Sequence, residues 1–193
     1  MFLRPLVAVV GLLLVSVPHV SATLGGPNCL SFTNSAGSRA LVDGGKQATI
    51  LVDPTDWPGV LRAAGDLQSD LQKVTGQKPR LVNVTASASL TASSLSQYSK
   101  PTTPILIGTL GKSALIDQVA NYSSLDLSSI KGKWEANFIK LVNNPLPGID
   151  AAYVIIGSDK RGTIYGIYSL SEEAGVSPWY FWADVQPHTH NSI

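Results

Sequence analysis

Cysteine, histidine and charge are all scarce in this chain of 193 residues, and each scarcity removes a class of function. Cys29 is the only cysteine, which excludes an internal disulfide framework and a cysteine-based zinc site. The three histidines are His19, near the start, and His188 and His190, in the last few residues. None falls where it would complete a catalytic triad, and no Gly-x-Ser-x-Gly elbow is present. Fourteen Lys and Arg against thirteen Asp and Glu give a net charge of +1. There is neither a basic stripe for nucleic acid nor an acidic tail.

Long apolar runs are equally rare. One follows Arg4, from Leu6 to Val17, and leads to the small residues Val20-Ser21-Ala22. This pattern predicts a signal peptide over 1–22, cleaved before Thr23, and a secreted, extracellular protein. After cleavage no segment is suited to cross a membrane. Removing 22 of 193 residues leaves 171, enough for one domain but short of the roughly 250 of an enzyme barrel. Asn83-Val84-Thr85 and Asn121-Tyr122-Ser123 are sequons that make Asn83 and Asn121 candidate glycosylation sites.

What is present is a set of short apolar runs. Ala48 to Val52, Arg80 to Val84, Pro104 to Ile107, Asn137 to Val142 and Ala151 to Ile156 predict strands. Ile105-Leu106-Ile107 and Val154-Ile155-Ile156 are continuously apolar, as strands covered on both faces require. The helix expected over Trp57 to Thr75 aligns Val60, Ala64, Leu67, Leu71 and Val74 on one stripe, leaving Arg62, Asp66, Asp70 and Lys73 off it. Asp56 is its expected N-cap, Pro58 sits in its first turn and Gly76 is its left-handed stop. A shorter helix is expected near Lys112 to Ala120, with Leu115, Ile116 and Val119 on one side. A third, from Lys160 to Ala174, should turn Ile164, Ile167 and Tyr168 inward and close at Gly175, Val176 and Pro178.

Ser87 to Thr103 and Asn143 to Asp150 read as loops, and residues 186–193 as a frayed tail. Strands alternating with helices predict an α/β fold: a mixed β-sheet flanked by helices, as one domain over 23–185.

The candidate chemistry is sparse. Gly108-Thr109-Leu110-Gly111-Lys112-Ser113 follows a strand and opens a helix, but a phosphate loop needs glycine where Leu106 stands. A tight turn is expected instead. Glu172 and Glu173 are adjacent on a helix and diverge by about 100°, so they do not face each other across a sugar and read as a solvated face. Asp150, Asp159 and Asp184 lie at element ends, where carboxylates cap or order turns. No metal site and no cofactor is expected.

Asp159, Lys160 and Arg161 are the candidate substrate-binding residues, since they link a buried strand to a helix at the edge where α/β sheets place ligand contacts. Trp179, Tyr180, Phe181 and Trp182 form an aromatic exit. It suits an interdomain seam or, alternatively, sugar stacking by Trp179, Tyr180 and Trp182.

Gly157 to Val185, GSDKRGTIYGIYSLSEEAGVSPWYFWADV, resembles the end of the N-terminal domain of glycoside hydrolase family 115, the secreted xylan α-1,2-glucuronidases. Ile105 to Asp117 and the helix over Trp57 to Thr75 fit the same domain. The resemblance implies an N-terminal accessory-type domain ahead of a catalytic barrel that acts on glucuronic acid side chains of xylan. After Val185 the sequence departs from the family pattern. The expectation is therefore a domain cut off from its barrel, without catalytic residues of its own. Its partners would be that barrel and, through it, glucuronoxylan. The alternative is a stand-alone carbohydrate-binding or cell-wall module.

Overall fold

The apolar runs become strands whose side chains alternate between two buried faces. The computed structural model describes residues 29–33, 37–85 and 90–193, so the expected leader over 1–22 lies outside the described residues. β1 (Val42–Asp43) and β2 (Lys46–Gln47) form a small antiparallel hairpin. β3 (Thr49–Val52), β4 (Arg80–Asn83), β5 (Ile105–Thr109), β6 (Asn137–Leu146) and β7 (Ile149–Gly157) form one sheet in the order β4-β3-β5-β7-β6. The first four in that order are parallel and β6 runs antiparallel to β7. The α/β class and the mixed sheet are as the sequence predicts.

Ile50, Val52, Ile105, Ile107, Tyr153 and Ile155 point to one face, where α1 (Pro58–Thr75) and α4 (Lys160–Glu173) lie. Leu51, Leu106, Val154 and Ile156 point to the other, beneath α2 (Ala92–Leu95) and α3 (Ala114–Tyr122). Continuous apolar runs are thus explained: each neighbour along the chain enters a different core. A 3-10 turn, Ser96–Tyr98, and the single-turn helix α5 (Tyr180–Ala183) complete the described elements.

The predicted stripe of α1 is fully buried, with Val60, Ala64, Leu67 and Val74 at 0% and Leu71 at 1% exposure. Each of the larger side chains contributes roughly 1.5–3 kcal/mol on burial. Gly76 ends the helix at φ 71°, its N–H donating to the Gln72 carbonyl. Leu115, Ile116 and Val119 of α3 are likewise buried.

Several expectations are corrected. Asp56 does not cap α1: Trp57 holds the cap position without a side-chain bond, and the Asp56 carboxylate turns into the protein. Asp70, placed off the stripe by the sequence, is nearly buried and holds the Lys73 ammonium at 2.8 Å. Tyr168 is exposed rather than inward, and its hydroxyl donates to Asp66 at 2.8 Å. The small residues Gly162, Thr163, Gly166 and Ser171 form the buried face of α4 with Ile167 and Leu170. Small side chains let the helix axis approach the sheet more closely than the larger ones would.

The loop expected over Asn143 to Asp150 is mostly strand, because β6 and β7 continue to a turn at Pro147 and Gly148. Pro145 is tolerated there since β6 is the sheet edge and its pairing slips between Asn143 and Leu146. Ser87 to Thr103 contains α2 and the 3-10 turn, so it is not wholly loop.

The tail is docked, not frayed. Ile193 is 8% exposed and joins the α1 core, the Leu41 and Val42 N–H groups donate to its carbonyl, and its own N–H reaches the Val42 carbonyl at 3.1 Å. The His190 N–H donates to the Val74 carbonyl at 2.8 Å, and its ring stacks on Phe32 at 3.9 Å. Glu173 is not a solvated carboxylate either: it accepts the Cys29 and Leu30 N–H groups at 2.7 and 3.1 Å. Beside it the Tyr153 hydroxyl donates to the Cys29 carbonyl, and burial, then the Glu173 charge, pushes the Cys29 thiol pKa up. Such a thiol is a poor nucleophile.

Candidate functional site

The sheet connectivity creates a crevice by itself. From β3 the chain enters α1 on one face, while from the neighbouring β5 it enters α3 on the other. The two loops diverge, and an opening forms at the carboxyl ends of the parallel strands. The loops after β3, β5 and β7 line a cavity of about 380 Å³ with Trp57, Thr109, Gly111, Lys112, Asp159 and Lys160.

Two buried carboxylates hold this edge. Asp53 accepts the Thr55 N–H and hydroxyl at 2.9 and 2.7 Å and the Leu115 N–H of α3 at 3.3 Å. Asp56 accepts the Trp57 and Thr109 N–H groups at 2.6 and 2.7 Å. Burial pushes the Asp56 pKa up, opposed by those main-chain hydrogen bonds. Thr109 is also joined to Thr163 of α4, hydroxyl to hydroxyl, at 2.8 Å. That contact requires Gly157, since a Cβ there would collide with the Thr163 main-chain nitrogen and hydroxyl.

Above this base the walls carry charge and one aromatic face. Trp57 is 42% exposed, and the Lys112 ammonium lies 5.1 Å from its ring centroid. The arrangement offers stacking and positive charge, above carboxylates that accept main-chain N–H groups. Among the described residues no three His, Cys, Asp or Glu side chains gather to hold a metal.

The sequence candidates are distributed unevenly here. Asp159 and Lys160 line the cavity. The Asp159 carboxylate caps α4 through the Gly162 N–H at 2.8 Å and also accepts the Glu135 N–H at 2.9 Å. These main-chain donors, Gly162 foremost, hold its pKa below the ordinary carboxylate value. Arg161 turns aside to pair with Glu135 at 2.7 Å and to donate to the Tyr165 hydroxyl at 2.6 Å. Trp57 and Lys112 escaped the sequence reading as site residues, since 55 positions separate them and only sheet order brings their loops together.

At the far end of α4 lies a second hollow, of about 690 Å³, lined chiefly by Tyr165, Tyr168, Val176, Pro178, Tyr180 and Phe181. Asp70 and Glu172 reach it too, with Asp70 held by Lys73. Tyr168 there has its pKa pushed up to about 12, by burial first and by its bond to Asp66 second. Trp179, Phe181 and Trp182 are 66%, 81% and 84% exposed, whereas Tyr180 packs against the core under the Lys73 ammonium at 4.5 Å. Asn83 on the edge strand β4 and Asn121 on α3 are both exposed.

The mixed sheet between two helical layers, with a crevice where its connections diverge, defines an α/β domain, and comparison shows it to be related to glycoside hydrolases. Neither a family model nor a curated protein matches the sequence. Among solved structures it is similar to a family GH115 4-O-methyl-α-glucuronidase described as specific for decorated arabinogalactans, with 28% identity and a TM-score of 0.60. The match covers 81% of this chain but 17% of that one. The likeness to family 115 therefore extends from the sequence motif to the three-dimensional fold.

Proposed function

We propose that this chain is the secreted, non-catalytic α/β domain of a family 115 type α-glucuronidase and that it works by docking on a larger catalytic body. The observation that carries this reading is the pairing of coverage values: most of this chain corresponds to about a sixth of the relative. The remaining length of such an enzyme is ample for a barrel. Within the described residues, hydrolysis would need two unencumbered carboxyls across a sugar. Asp53, Asp56 and Asp159 are spent on main-chain N–H groups and Asp70 on Lys73.

Trp179, Phe181 and Trp182 supply the docking surface in this reading, since exposed large rings beside an apolar hollow are what a separated interface leaves behind. A stacking platform for sugar fits them less well. Tyr180 is occupied with the core and meets Phe181 edge-on, at 84°. Secretion rests on the apolar leader, and the exposure of Asn83 and Asn121 leaves both free to carry glycans.

The experiment is to express the chain in a secreting host and assay release of glucuronic acid from glucuronoxylan. Absence of turnover is expected, together with a mature start at Thr23 and a mobility shift on deglycosylation. Turnover above a buffer control, lost on Asp70→Asn or Glu172→Gln, would overturn the non-catalytic reading. Concentration-dependent association that Trp179→Ser, Phe181→Ser and Trp182→Ser together abolish supports the docking surface. Saturable binding of neutral xylan oligosaccharides through those rings would favour the carbohydrate-binding alternative.

A further inference from the structure

The hollow at the aromatic exit has features that apolar packing alone does not use. Its lining combines the rings of Tyr165, Tyr168, Tyr180 and Phe181 with two charged side chains, Asp70 and Glu172, and both are carboxylates. No lysine or arginine lines it among the described residues. The cations that lie against its rings are already held. Lys73, over Tyr180 and Phe181 at 4.5 and 5.4 Å, is paired with Asp70 at 2.8 Å. Arg161, 5.5 Å from the Tyr165 ring centroid, is paired with Glu135 at 2.7 Å. Glu172 takes part in no ion pair among the described residues, so its charge is the one these pairings leave unanswered.

A second observation, independent of charge, concerns Ser171. This residue is 3% exposed and lines the same hollow, yet its hydroxyl has no hydrogen-bond partner in the structure. A buried hydroxyl left unsatisfied costs free energy that a partner entering the hollow recovers. Ser171 and Glu172 both line the hollow, so a ligand with several donors can meet both.

The chemistry that fits is a flat cation. A guanidinium stacks on tyrosine faces, sheds water readily and presents five N–H donors in one plane. An ammonium is compact and strongly hydrated, and loses more on entering. An anion finds no counter-charge on the lining. The volume, about 690 Å³, is ample for such a side chain with adjoining backbone.

We propose that this hollow seats an arginine side chain presented by the body that docks on the aromatic exit, its guanidinium meeting Glu172 and Ser171 beside the tyrosine rings. That the arginine belongs to the docked body rests on the docking reading; the seat itself is made by residues of this chain. The exposed rings then supply contact area, and the arginine fixes the register of docking.

The test is calorimetric titration of the purified full chain with the capped tripeptide Leu-Arg-Leu and with its lysine and citrulline analogues, citrulline being the neutral relative of arginine. The arginine peptide should bind saturably, about tenfold more tightly than either analogue, as a charge-assisted hydrogen bond provides. Glu172→Gln should erase the preference over citrulline. Ser171→Ala should weaken the arginine peptide while leaving the melting temperature of the free chain unchanged or raised, because the hydroxyl it removes has no partner there. Equal affinity for the three peptides, no saturable binding, binding unchanged in Glu172→Gln, or a lowered melting temperature in Ser171→Ala would each overturn the proposal. Trp179 and Trp182 do not line the hollow, so Trp179→Ser with Trp182→Ser should leave peptide binding intact. Association that ignores the exposed rings would overturn the docking reading and leave the seat standing, whereas ring-dependent association without the arginine preference would overturn the seat alone.

Discussion

The Asp56 carboxylate accepts the Thr109 N–H at 2.7 Å, tying the loop after β3 to the last residue of β5. One buried acid thus sets the separation of the two loops whose divergence opens the crevice. Its pKa is raised by burial. A raised folded-state value means that the stability this group contributes is fully present below the ordinary carboxylate pKa and is lost as pH rises through the folded value. Asp56→Asn should flatten unfolding free energy over that window, measured by urea denaturation across a pH series. It should also cost about 1–3 kcal/mol, because an amide turns a donor toward one of two main-chain N–H groups. Parallel pH curves for the two proteins would refute the assignment.

Asp159 has the opposite sign. Its folded-state pKa is lowered by the Gly162 and Glu135 N–H groups, so its contribution is present above the ordinary carboxylate value and disappears as pH falls through the folded one. Asp159→Ala should remove about 1 kcal/mol of cap stability at neutral pH, and Asp159→Ser should restore most of it. If alanine and serine behave alike in thermal melts, the cap is not what the residue provides.

The terminal segment should behave as part of the domain. Ile193→Ala removes a side chain packed with Leu41 and the α1 core, and a loss of about 2 kcal/mol is expected for such a truncation. Hydrogen exchange should show the Leu41 and Ile193 N–H groups protected together and released together in the variant. A melting temperature unchanged after deletion of residues 186–193 would return the tail to the frayed state.

Gly157→Ala should be among the most damaging single substitutions in the chain. The added methyl would overlap the Thr163 main-chain nitrogen and hydroxyl, forcing α4 away from β7 and parting Thr163 from Thr109. Overpacking of this kind costs about 1–3 kcal/mol or more. Native-like stability by urea unfolding would show that α4 can move without loss.

The likeness to family 115 was legible in Gly157 to Val185 because a strand end, a cap, a helix and an aromatic exit are all local in the chain. The α1 stripe and the double-faced strands were legible for the same reason: periodicity is written in neighbours. Asp56 and Glu173 were misjudged because each spends its charge on a partner far away in sequence, Thr109 and Cys29. Propensity places a carboxylate at a helix start or on a solvated face until a distant donor claims it.

By itself, then, the sequence determined the class of fold, the positions of its main helices and the aromatic exit, all of which follow from residues within a few turns or one strand of each other. The tertiary structure alone decided that Trp57, Lys112 and Lys160 share one crevice and that Ile193 closes the core. Strand order is the reason: β5 lies beside β3 although β4 intervenes in the chain, and no local pattern encodes that neighbour.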